Sequence, residues 1–92
     1  NKMLIADKSI EFNGVNYLIE PEYNNSSGTI IVSNTKTNDD VLSIKFNDVL
    51  GEATTTVYEN LSYTDYPLPN DLYKKVSDGD FTEVVEWCLS TY

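Results

Sequence analysis

Residues 10–17, Ile10-Glu11-Phe12-Asn13-Gly14-Val15-Asn16-Tyr17, decide the class of the fold. Asn-Gly readily supplies the two positive-φ positions of a type I′ turn, and here it stands between runs in which apolar and polar residues alternate. A tight antiparallel hairpin is expected. Down its second arm Val15, Tyr17 and Ile19 alternate with Asn16, Leu18 and Glu20. Pro21, which has no N–H to give to a ladder, marks the end of that arm or a sheet edge.

Asn24-Asn25-Ser26-Ser27-Gly28 is a polar turn cluster, and Thr29-Ile30-Ile31-Val32-Ser33 is a β-branched run that reads as a third strand. Residues 35–40 form a second polar loop. A fourth strand follows, with Leu42, Ile44 and Phe46 on one face and Val41, Ser43 and Lys45 on the other. The threonine-rich residues 53–58 lack helical periodicity and read as a fifth, with Glu52 or Glu59 on its exposed side.

The pattern changes after Pro69. Asn70 suits the N-cap of a short helix over residues 71–76, stopped by Asp78-Gly79. Asp80-Phe81-Thr82-Glu83 has capping-box spacing, with Asp in place of Ser or Thr, and opens a final helix. Phe81, Val84, Val85 and Cys88 fall at i, i+3, i+4 and i+7, a stripe able to lie on a sheet. Cys88 reads as a small buried hydrophobe.

The expected fold is therefore α+β: an antiparallel β-meander of about five strands with two C-terminal helices packed on the sheet. Residues 1–92 form a single domain, mainly β over 1–61, a Tyr/Pro loop over 62–69 and helical over 70–92. The order of the strands and the face that the helices cover are left open by the sequence.

Fifteen carboxylates face six lysines, with no histidine and no arginine, for a net charge of −9. Residues 1–46 hold six acids and four lysines, whereas residues 47–92 hold nine acids and two lysines. Such a field repels nucleic acid and anionic membranes and steers basic partners toward encounter. Direct binding to either polyanion is not expected. One cysteine precludes an internal disulfide, no secretory signal or transit peptide is recognisable, and a cytoplasmic location is expected.

Without histidine there is no imidazole base, no Ser-His or Cys-His pair and no histidine metal ligand. A lone cysteine cannot complete a structural zinc site. Asp39-Asp40 and Ser77-Asp78-Gly79-Asp80 do not continue into a calcium-loop pattern. No glycine-rich phosphate loop is present, and the lack of arginine removes the bidentate phosphate clamp. No enzymatic activity, cofactor or metal is expected.

The stretch that remains is YENLSYTDYPLPNDLY, residues 58–73, with four tyrosines, three carboxylates and no basic residue. Tyrosine combines a large apolar ring with a hydroxyl and is enriched in interfaces, and carboxylates beside such rings suit lysine and arginine. Tyr58 and Tyr73 either pack into the core or join that surface. The candidate partner-binding residues are Glu59, Tyr63, Asp65, Tyr66, Asp71, Asp78 and Asp80. Glu20 with Glu22, and Asp78 with Asp80, are among the few pairs with the i, i+2 spacing that sets two carboxylates on one strand face, about 6.6 Å apart, so mimicry of a polyanion is expected to come from assembling Asp48, Glu52, Glu59, Asp65, Asp71, Asp78, Asp80, Glu83 and Glu86 in space.

In size, acidic skew and single-domain α+β character, the chain resembles the small acidic inhibitors encoded by bacteriophages and mobile elements, the anti-CRISPR proteins and DNA mimics. The resemblance implies inhibition of a nucleic-acid-binding nuclease or effector complex, in the host cytoplasm, by occupying the basic groove meant for its substrate. Ten asparagines and lysine used without arginine are the composition of an AT-rich genome. Two other classes share part of this pattern. An immunity protein against a basic nuclease toxin has the same charge logic, and a structural or assembly protein of a phage or cell surface would use a sheet edge and tyrosines to associate.

Overall fold

In the computed structural model, which describes residues 7–24, 26–59, 61–77 and 81–92, Asn13 and Gly14 both take positive φ, 52° and 80°. They join β1 (Lys8–Phe12) to β2 (Val15–Asn24) in the expected hairpin, with Phe12 opposite Val15. The meander continues through β3 (Ser27–Asn34), β4 (Asp40–Asn47) and β5 (Glu52–Glu59) to β6 (Ser62–Pro67). Every pair is antiparallel and the spatial order is the chain order, β1-β2-β3-β4-β5-β6.

The sheet thus has six strands, not five, and the additional one corrects the Tyr/Pro loop expected over residues 62–69. Ser62 pairs with Glu59 and Pro67 with Thr54, so Tyr63, Thr64 and Tyr66 act as the good strand formers they are. The prolines do not oppose this, because Pro67 is the last residue of an edge strand and Pro69 lies beyond it. Pro21 does not end β2 either. It pairs with Ile30, at a point where the register of β1, which starts at Lys8 opposite Ile19, no longer reaches.

One face of the sheet is covered by α1 (Asn70–Ser77) and α2 (Thr82–Thr91). Ile19, Ile30, Val32, Leu42, Ile44 and Phe46 point to that face and are at most 3% exposed, closing against Leu72, Val76 and the α2 stripe. Phe81, Val84, Val85 and Cys88 are all buried, as the spacing requires. Each such large apolar side chain contributes about 1.5 to 3 kcal/mol on leaving water. Phe46 fits because its cross-strand partner is Gly28: a Cβ there would run into Phe46 Cζ and lie 2.9 Å from the Glu22 carbonyl oxygen.

The helix starts differ from the sequence reading. Tyr73 N–H donates to the Pro69 carbonyl, so Pro69 opens α1 and Asn70 is its first residue instead of its cap. In α2 the cap position is Phe81, without a side-chain cap. Asp80, and the Asp78-Gly79 stop signal, lie outside the described residues. Lys8 Nζ on β1 donates to Thr82 Oγ1, and Tyr92, just past α2, stacks on Tyr66 of β6. The second helix therefore crosses the sheet from one edge strand to the other. Lys75 Nζ on α1 reaches Glu83 on α2 at 2.6 Å.

Candidate partner-binding surface

Strand alternation sends every second residue to the face opposite the helices. There the register aligns Glu20, Ile31, Ser43, Thr56 and Asp65 in one row across β2 to β6, and Glu22, Thr29, Lys45, Thr54 and Pro67 in the next. Glu11 on β1 and Glu52 on β5 share this face. Among the described strand residues it holds six carboxylates, Glu11, Glu20, Glu22, Asp40, Glu52 and Asp65, with Asp40 placed there by the bulge that sets it opposite Ser33, against the single lysine Lys45.

Its middle is lined with hydroxyls that are already organised. Ser33, Ser43 and Thr56 are buried, Ser43 Oγ and Tyr58 Oη lie 3.1 Å apart, and Thr56 Oγ1 donates to Asp65 Oδ1 at 2.7 Å. That last bond holds one carboxylate oxygen of Asp65 beside β5 and leaves the exposed remainder to face outward. Tyr63 sits across from Tyr58 and is 67% exposed. Where this face meets the β3–β4 turn, a cleft of about 520 Å³ is lined by Asn34, Thr37, Asp39, Asp40, Val41 and Tyr58. Two carboxylates and a tyrosine ring on one wall are groups of the kind that attract a cation.

No family model, curated protein or solved structure matches the chain.

Of the five described residues among the seven expected to form one patch, the fold brings together only Tyr63 and Asp65, both on the helix-free face. Tyr66 points the other way, its ring 4.3 Å from that of Tyr92 and 10° from parallel, with Trp87 edge-on to Tyr92 at 5.5 Å. It fastens the end of α2. Glu59 is exposed at the end of β5 but alternates onto the helix side, and Asp71 is exposed in the first turn of α1. Asp78 and Asp80 lie outside the described residues. Tyr73 is half-buried, its hydroxyl donating to Asp48 Oδ1 at 2.9 Å to tie α1 to the β4–β5 turn.

The grouping that sequence reasoning missed is the union of β2 and β6 acids. The i, i+2 spacing of Glu20 and Glu22 signals half of it. The other half needs the register, because Asp65 joins their face only through β3, β4 and β5. Among the described residues no group of three or more potential ligands is placed to hold a metal ion, and no helix is long and apolar enough to cross a membrane. Cys88 is buried under α2, with its sulfur 3.6 Å from Thr55 Oγ1. Burial pushes its thiol pKa up, against a smaller lowering by the Thr55 contact. A thiol held protonated and covered is a poor nucleophile.

Proposed function

We propose that this protein acts by binding, without catalysis, to a basic protein surface, and that it inhibits a nucleic-acid-binding nuclease or effector complex, as anti-CRISPR DNA mimics do, by occupying the groove built for nucleic acid. The observation that carries the reading is the helix-free sheet face, where six carboxylates accompany one lysine on a hydroxyl-lined platform. Glu20 and Glu22 stand about 6.6 Å apart along β2, comparable to neighbouring phosphates on a strand, and Asp65 lies four strand spacings away, about 19 Å. Charges carried on a sheet need no ordering of the backbone when a partner arrives, which favours association.

The test is a titration of the purified protein against purified RNA-guided nucleases, loaded with guide and unloaded, with target duplex as competitor. The reading expects duplex and protein to exclude one another, and affinity to fall by about tenfold or more between low and high salt. Simultaneous binding of duplex and protein, or affinity indifferent to salt, contradicts it.

A further inference from the structure

We infer that the outer edge of β6 is a strand-docking site that takes an extended, lysine- or arginine-bearing segment of the partner as a seventh strand. The inference rests on the basic-partner reading and adds the mode of contact.

The hydrogen-bond pattern shows which backbone groups are on offer. Leu68 N–H donates to the Ala53 carbonyl, and these two residues continue the β5–β6 register. In an antiparallel ladder, bonded and non-bonded pairs alternate, so Tyr66, Thr64 and Ser62 bond to Thr55, Val57 and Glu59. Tyr63 and Asp65 fall between them, and their N–H and C=O groups point away from β5. Pro67 is the next outward residue. It has no N–H, and its carbonyl accepts the hydroxyl of Tyr92 at 3.2 Å. The edge is thus closed at Pro67 and open at Tyr63 and Asp65, where every residue of β6 is exposed.

Charge selects the occupant. The hairpin from Glu52 to Pro67 carries Glu52, Glu59 and Asp65 and no basic residue, whereas the opposite edge strand β1 carries both Lys8 and Glu11. An incoming strand bonded to Tyr63 and Asp65 sets its own side chains beside the Asp65 carboxylate and the Tyr63 ring, which suit a cation. A second copy of this chain would bring another −9 to the same edge. Main-chain bonds then give affinity and the acidic flank gives choice of sequence, as in other strand-addition complexes.

The experiment uses the full-length ¹⁵N-labelled protein and two synthetic hexapeptides, one alternating lysine with valine and one alternating glutamate with valine. The lysine peptide is expected to slow exchange of the Tyr63 and Asp65 amides, leaving Thr64 and Tyr66, already bonded inward, as they were. The glutamate peptide is expected to do neither. Tyr63→Pro removes an outward N–H and no ladder bond, so it should weaken the lysine peptide about tenfold with an unchanged circular dichroism spectrum. Asp65→Asn keeps an acceptor for Thr56 and removes the charge, and should weaken it as well. Peptide shifts confined to Glu11, Glu20 and Glu22, with the two amides unprotected, overturn the docking edge and leave the basic-partner reading standing. No shift anywhere overturns the edge, and the nuclease titration then judges the wider reading separately. Tyr63 and Asp65 amides already protected in a species of twice the chain mass assign the edge to a second copy and also overturn it.

Discussion

The ring of Tyr66 lies flat against that of Tyr92, 4.3 Å between centroids, while Tyr63, three residues earlier, faces the other side of the sheet. Two tyrosines that look equivalent in sequence therefore do different work. Tyr66→Ala should lower stability by about 1 to 2 kcal/mol, because it removes a stacked aromatic pair that holds the end of α2. Tyr63→Ala should change stability by no more than about 0.5 kcal/mol. Urea unfolding of the two variants checks both numbers.

Gly28 is required by the ring across from it. Gly28→Ala places a methyl group against Phe46 and the Glu22 carbonyl, and should cost about 1 to 3 kcal/mol. Phe46→Leu also destabilises by itself, since it shrinks a buried side chain. The double variant should lose less than the sum of the two, and the coupling is read from a double-mutant cycle in urea.

The fold was legible in sequence wherever a local device was enough. Asn13-Gly14 determines its turn by backbone preference alone, and the α2 stripe declares itself by spacing. Residues 62–67 were not legible in the same way. Pro67 and Asp65, with Pro69 just beyond, give that segment a loop composition, while its strand conformation comes from pairing with β5, a tertiary effect. The more acidic half of the chain is likewise not the acidic face, which draws Glu11, Glu20, Glu22 and Asp40 from the first half and Glu52 and Asp65 from the second. A sheet gathers charge by register, and register is invisible until the strands are aligned.

Cys88 should be silent to thiol reagents in the native protein and react at once on unfolding, as a covered thiol with a raised pKa must. The same shift has a sign in stability. The folded chain keeps the proton that the unfolded chain releases above the ordinary thiol pKa of about 8.5, so stability is held at neutral pH and falls as the solution becomes more alkaline. The Tyr92 hydroxyl, raised by partial burial and then by Cys88 and Tyr66, adds to the fall at still higher pH. Cys88→Ala should remove the earlier part of that slope in melts recorded from about pH 7 to about pH 10.

The most direct measurement compares two charge-reversal sets that move the net charge equally. Glu20→Lys, Glu22→Lys and Asp65→Lys reverse the helix-free face; Glu59→Lys, Asp71→Lys and Glu86→Lys reverse acids elsewhere. Affinity of each for the nuclease that binds the parent protein is measured by titration, with circular dichroism to verify folding. The helix-free face set should abolish binding, since each change removes an attraction and adds a repulsion, while the other set should weaken it only as far as long-range charge does. Equal loss in both sets, or loss confined to the second, would contradict recognition through the open acidic face of the sheet.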